Sequence, residues 1–398
     1  MKKRFLRDIA EIQTGPFGSQ LHKEDYVDVG TPIVTVEHLG SRVFSEQNLP
    51  MVSEADKSRL SKYVLKKGDI VFSRVGSVDR CSFVDQKHDG WMFSGRCLRV
   101  RPNEEVDSLF LYYFFCLNAT KEFVRSIAVG ATMPSINTKL LGEVEVICPE
   151  IKEQRKIADI LSKIDDKIEE NQKINENLQQ QAAAIFRSWF VDYVPFGGTV
   201  PDEWKNVTLE DITTLVSRGI TPKYADDTGQ IVINQKCIRN HMIELSFARS
   251  HRPKVINNKW LQFGDLLINS TGDGTLGRAA QVWFQPHNLT VDSHVTIVRP
   301  AAENMIFYIG LWGTQHEKEI ESLHTGSTGQ TELPRDRVKA IELLLPDKET
   351  LERFNALIAP MAAAIVSNQE ENNRLASIRD ALLPKLMSGK IDVSAIQL

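Results

Sequence analysis

The sequence predicts a mixed α/β protein: two α/β domains forming a pseudo-twofold internal repeat, separated by two long helices that pair as an antiparallel coiled coil. Three observations predict it. The second half of the chain rewrites the first at a nearly constant offset, each half opens with short apolar runs punctuated by Gly and Pro, and each half closes on a long apolar seam of heptad type.

The repeat is read residue by residue. Lys67 to Ser73 (KGDIVFS) corresponds to Phe263 to Asn269 (FGDLLIN), with Gly68 and Gly264 196 positions apart and Gly76 falling on Gly272. The offset is 198 where Val100-Arg101-Pro102 meets Val298-Arg299-Pro300. It is 196 again at Gly130-Ala131-Thr132 against Gly326-Ser327-Thr328, and 197 where Pro149 meets Pro346. Small insertions inside turns account for these steps. Residues 1–149 therefore read as the first α/β domain, 150–194 as a central helix, 195–346 as the second α/β domain and 347–398 as a distal helix with a tail.

Within the blocks, Asp69 to Ser73 and Asp265 to Asn269 read as buried strands, as do Arg96 to Val100 and His294 to Val298. Leu109 to Ala128 and Ile306 to Ser322 read as helices. After Pro149, Ile157, Leu161, Ile164, Ile168, Asn171, Asn175, Leu178, Ala182 and Ile185 recur at three and four residues, the spacing of a coiled-coil seam. Phe354, Ile358, Met361, Ile365, Asn368, Asn372, Leu375 and Leu382 repeat that spacing 197 positions on, asparagines included. A rod of this kind cannot bury its stripe alone, so the two helices are expected to pack on each other. The polar positions Asn171 and Asn175, matched in the repeat by Asn368 and Asn372, would then fix register and orientation at some cost in stability.

Composition bounds the function. Hydrophobic residues at 42% and charged residues at 25% describe a water-soluble globular chain. No stretch has the length of a membrane span and the start lacks a signal-peptide core, so a cytoplasmic location is expected. Five scattered cysteines without a Cys-x-x-Cys pair indicate neither a disulfide framework nor a zinc site. The net charge of -4 does not favour nucleic acid, but binding depends on where Lys and Arg sit rather than on their sum.

The stretch from Ala184 to Tyr193 (AIFRSWFVDY), followed by Pro201-Asp202-Glu203-Trp204 and Leu209, resembles the central conserved region of type I restriction-modification specificity subunits and the approach to their second domain. Leu382 to Ile391 (LLPKLMSGKI) resembles their distal conserved region, and Gly68-Asp69-Ile70 with Gly264-Asp265-Leu266 resembles a strand motif of their target recognition domains. The resemblance covers essentially the whole chain in the family's order. It implies two target recognition domains, each reading one half of a bipartite, asymmetric double-stranded DNA site. The helices would act as spacer and as docking site for two methyltransferase subunits, with motor-nuclease subunits joining the full complex. It also implies that the chain has no catalytic residues and no metal of its own, and that S-adenosylmethionine, ATP and magnesium belong to the partners.

Other motifs read as structural. Gly272 to Gly277 (GDGTLG) fits a Gly-x-Gly-x-x-Gly string, but Arg278 to Phe284 reads as a strand where a phosphate-binding helix would be needed, so a glycine-rich hairpin turn is expected. His316-Glu317 lacks the second histidine of a helical zinc motif, and Pro201 to Lys205 reads as a turn between domains. Neither a methyltransferase Asn/Asp-Pro-Pro-Tyr tetrapeptide nor a Walker lysine loop occurs. The rival readings are a coiled-coil scaffold that never reads DNA and a self-sufficient methyltransferase or endonuclease.

Base edges in the major groove are read by Arg, Lys, Asn, Gln, Ser and Thr on exposed loops. On that ground the expected DNA contacts are Gln13, Thr14, Ser19, Gln20, Ser73, Arg74 and Arg80 in the first half. In the second half they are Arg218, Lys223, Asn234, Lys236, Asn269, Ser270 and Thr271.

Overall fold

A computed structural model of the chain describes residues 2–18, 20–226, 228–326 and 331–394. The chain divides into two compact units, one formed by Met1–Glu169 with Asn372–Leu398 and the other by Glu170–Glu371.

In the first unit a four-stranded antiparallel sheet runs in the spatial order Ala10–Thr14, Cys97–Pro102, Ile70–Ser73, Cys81–Phe83. Its register places Ile12 opposite Val100 and Val100 opposite Ile70. Side chains alternate across a strand, and here both faces are buried. Ile70, Phe72, Leu98 and Val100 join the core that contains the helix Ser108–Cys116, while Val71 and Cys97 join a second core with Ile33, Met92 and Phe93. That second core carries a small sheet in which Thr31–Val34 runs parallel to Met92–Phe93. Lys2–Phe5 pairs with Glu145–Cys148 and brings the end of the block back to its start.

The second unit repeats this plan by itself. Its sheet runs Thr213–Arg218, Val295–Pro300, Leu266–Asn269, Ala279–Gln281. Leu266, Ile268 and Val298 face one core and Leu267, Ala280 and Ile297 the other. Ile231–Ile233 runs parallel to Leu289–Val291, and Lys205–Thr208 pairs with Glu342–Leu345. The Gly-Asp motif has one job in both units. Gly68 and Gly264 take φ near +90°, where a side chain is strained, and the aspartates that follow are buried beneath them. Arg101 grips both carboxylate oxygens of Asp69 at 2.7 and 2.6 Å, and Arg299 grips those of Asp265 at 2.8 Å each.

Both segments expected to be helical are helical, each with one break: Leu109 to Ala128 falls in Ser108–Cys116 and Asn118–Ser126, and Ile306 to Ser322 in Ile306–Gln315 and Glu317–Ser322. The first member of each pair is buried almost throughout, whereas the second buries little. A straight continuation would carry Lys121, Glu122 and Arg125 into the core, at the high cost of burying charge.

The long helices Ile151–Phe190 and Lys348–Met387 span 40 residues each. They are not separate domains, because each unit takes one segment of each helix into its own core. In the first unit Ile157, Ala158 and Leu161 pack with Leu383, Leu386 and Met387. Arg379 donates to Asp165 at 2.7 Å there, and Asn372 to the Ile168 carbonyl at 3.4 Å. In the second unit Ala182, Phe186 and Phe190 pack with Leu351, Phe354 and Ile358, and Asn171 donates to Glu371 at 2.7 Å. Within each unit the partner numbers fall along one segment as they rise along the other, so the segments are antiparallel. Trp189 and Phe190 are both helix anchors and domain contacts: Phe190 lies 4.8 Å from Phe354, 4.9 Å from Tyr308 and 5.7 Å from Trp204, ring centre to ring centre.

Candidate nucleic-acid interface

In the first unit four loops converge at one end of the sheet. The Arg74 amide donates to the Arg96 carbonyl at 2.8 Å, and the Arg74 carbonyl accepts from Ile136 at 2.9 Å. Gly76 donates to Pro134 at 2.8 Å, Val129 and Ser135 exchange amide bonds at 2.9 and 2.8 Å, and Gly15 donates to Cys97 at 3.2 Å. The approach at Gly15 is close enough that a Cβ there would lie 2.1 Å from the Ser94 carbonyl oxygen. The Arg74 guanidinium is fixed between Gly95, whose carbonyl accepts its Nη1 at 3.0 Å, and the Phe17 ring, whose centre is 5.3 Å from its Cζ. The loops tied to this strand end carry exposed apolar side chains, Phe17 at 52%, Val129 at 64% and Met133 at 64%.

The second unit builds the same junction from different side chains. Ser270 takes the place of Arg74, its amide donating to His294 and its carbonyl accepting from Leu333, both at 2.8 Å. His294 thus stands where Arg96 does, and Thr325, bridged to Glu332, stands where Val129 does. Gly219 stands where Gly15 does, and a Cβ on it would lie 1.9 Å from the Val291 oxygen. Thr271 hydrogen-bonds the His294 ring at 2.8 Å and Gln235 at 3.3 Å. One scaffold therefore carries Arg74 with the apolar Phe17, Val129 and Met133 on its loops in the first unit, and Thr271, Gln235 and His294 with an Arg218 guanidinium paired to Glu332 in the second.

The residues expected to contact DNA fall into two sets. Arg80, Lys223 and Lys236 are exposed, and Arg74, Thr14 and Thr271 are half-buried at the junctions. Ser73, Asn269 and Ser270 are corrected: all three are buried, at or just beyond the ends of the central strands. Ser73 donates to the Val75 carbonyl at 2.7 Å, Ser270 bonds Thr296 at 2.5 Å and Asn269 donates to the Gln235 carbonyl at 3.1 Å. Gln13 is also removed from the loop, since it lies inside Ala10–Thr14 with its side-chain oxygen buried. Gln20 accepts from the Tyr63 hydroxyl at 2.7 Å. Asn234 caps a short turn, accepting from the Lys236 amide and donating to the Phe247 carbonyl at 2.8 Å each. The Arg218 guanidinium is held by Glu332 at 2.5 Å and the Leu333 carbonyl at 2.8 Å, and that of Arg80 by the Leu39 carbonyl. Ser19 lies outside the described residues.

Sequence reasoning passed over Arg96, Phe17, Val129 and Met133, and a basic group in the second unit. Lys259 donates to the Gly219 carbonyl at 3.1 Å. Burial, and then the nearby Lys254 and Arg335 cations, pull its ammonium below the usual lysine range. Lys254 and Arg335 are both exposed. Two of the helix asparagines meet on the seam: Asn368 donates to Asn175 at 2.8 Å, and Asn175 to the Ile365 carbonyl at 3.4 Å. The Gly272 to Gly277 string is a turn with positive φ at Gly272, Gly274 and Gly277, leading into the strand Ala279–Gln281. Among the described residues no three His, Cys, Asp or Glu side chains are grouped as metal ligands, and no helix is long and apolar enough to cross a membrane.

Residues 1–180 match the family model of the type I restriction modification DNA specificity domain. Across 98% of the chain and 93% of the relative, the sequence is 26% identical to the type I restriction enzyme MjaIX specificity subunit of Methanocaldococcus jannaschii. Residues 1–180 thus carry the likeness to that domain, and nearly the whole chain is similar to type I specificity subunits. It is also 25% identical to the HindI specificity subunit of Haemophilus influenzae, over 83% of the chain and 88% of that protein. The crystal structure of a type I restriction-modification S subunit from M. genitalium has the same fold, with a TM-score of 0.59 and 16% identity over 97% of this chain and 95% of that one. The relatives are named as specificity subunits, and in this chain the converging loops are the site to be explained.

Proposed function

We propose that this specificity subunit reads a bipartite, asymmetric double-stranded DNA site, one half with each recognition domain. The two 40-residue helices set the unread gap and dock two methyltransferase subunits, and motor-nuclease subunits complete the enzyme. One observation carries the reading. The two loop junctions share a backbone, from Arg74 and Ser270 to Gly15 and Gly219, but expose different side chains, Arg96, Phe17, Val129 and Met133 in the first and His294 in the second. Two unlike readers on one scaffold suit a site whose halves differ in sequence. S-adenosylmethionine, ATP and magnesium enter with the partner subunits, and the complex works on DNA in the cytoplasm.

Co-expression with the methyltransferase subunit, followed by genome-wide mapping of methylated adenines, tests this. A split motif that requires this chain, and changes in one half when residues 1–149 are exchanged for those of another specificity subunit, is the expected result. Methylation independent of the chain would return the scaffold reading, and methylation by the chain alone would return the self-sufficient enzyme.

A further inference from the structure

Resting on that reading, we propose that the first recognition domain reads a thymine methyl group beside a guanine, using the Arg74 guanidinium and the apolar side chains Phe17, Val129 and Met133 on the loops tied to its strand end. The argument begins with exposure. Three large apolar side chains stand more than half exposed on loops that the backbone ties to the Arg74 strand end. Apolar groups left in water at the centre of a junction call for a partner that covers them. The partner is anionic, because Arg74 and Arg96 lie at the same junction and Arg96 is exposed. Duplex DNA meets both demands in the major groove alone. There guanine offers the O6 and N7 pair that an arginine fork matches, and thymine offers the C5 methyl group, the apolar feature of a base edge. The minor groove has no methyl group to offer.

Arg74 is prepared for this. One edge of its guanidinium is held by the Gly95 carbonyl and one face by the Phe17 ring, so the remaining donors point in a fixed direction and little rotamer freedom is lost on contact. Phe17 then has two roles, bracing the guanidinium and offering its exposed edge to the neighbouring base. Among the described residues the matched positions of the second domain differ: Ser270 and Thr325 replace Arg74 and Val129, and the guanidinium at that junction, Arg218, is paired to Glu332. Methyl reading is therefore assigned to the first half-site.

The test uses the specificity subunit assembled with its methyltransferase subunits and duplexes carrying the mapped motif. Thymines in the half-site of the first domain are replaced by uracil, which lacks only the methyl group. Binding is expected to weaken about three- to fivefold per contacted methyl. The same exchange in the other half-site is expected to leave binding unchanged. In the Phe17→Ala/Met133→Ala variant, thymine and uracil duplexes are expected to bind alike. A first half-site without a G·C pair next to an A·T pair, equal binding of thymine and uracil duplexes by the unsubstituted complex, or a variant that weakens both duplexes equally would each overturn the proposal. Loss of any sequence preference in the unsubstituted complex would instead overturn the function on which it rests.

Discussion

Asn368 donates its side-chain amide to the side-chain oxygen of Asn175 at 2.8 Å, and Asn175 is buried on the helix seam. A hydrogen bond between two side chains in an apolar seam can form in one alignment of the helices only, and a slip by a turn would leave both amides unpaired.

Asn368→Ala should therefore destabilise the second unit by about 1–3 kcal/mol, since it leaves the Asn175 oxygen without its donor. Asn175→Leu with Asn368→Leu should recover stability but loosen register. Urea midpoints check the first statement. Cross-linking between cysteines placed on the two helix segments checks the second, through a broader set of linked pairs in the double variant.

Asp265→Asn should cost about 3–5 kcal/mol, because it leaves the Arg299 guanidinium nearly buried without its counter-charge. Faster hydrogen exchange over Leu266–Asn269 and Val295–Pro300 is the expected readout, since the pair ties the turn before one strand to the end of the other. Asp69→Asn should act in the same way on the first unit through Arg101.

Acid should weaken the start of the second long helix. Burial alone would raise the Asp347 carboxyl, but the Thr350 hydroxyl and amide and the Trp204 indole donate to it and bring it below the usual carboxylate range. A carboxylate whose folded-state value is depressed adds stability that is fully present above the unfolded value, about 3.9, and is lost as pH falls through the lower folded value. Asp347→Asn should remove that acid limb from a plot of stability against pH.

Lys254→Ala and Arg335→Ala should weaken DNA binding by similar factors whatever the sequence, each lowering the slope of log affinity against log salt by about 1. Fluorescence anisotropy of the assembled complex across a salt series checks this. A slope unchanged by both substitutions would remove the basic group from the phosphate path.

Much of the fold was legible because the repeat acts as two readings of one plan. The Gly68/Gly264 turns, the strands after them and both helix seams were found from matched spacing, and the seam asparagines were found by position. The breaks at Leu117 and His316 carry no Pro or Gly signal, so periodicity alone ran through them. The site was harder to read. Ser73 and Ser270 lie within a residue of a strand end, and whether such a hydroxyl points inward depends on a crossing neighbour, Val75 or Thr296, that spacing does not reveal. Phe17 and Met133 carry no polar group that marks a base reader in the sequence, and their exposure is a property of the folded loops.

The division of the long helices orders events during synthesis. The second unit, Glu170–Glu371, is one unbroken stretch of chain and has every piece it needs once that stretch leaves the ribosome. The first unit lacks its closing segment, Asn372–Leu398, until that segment has been made. At about 5–20 residues per second, the two hundred or so residues between its parts take roughly 10–40 s to make. Through that interval Ile157 and Leu161 have no Leu383 or Leu386 to cover them, so the end that is born first is the last to mature.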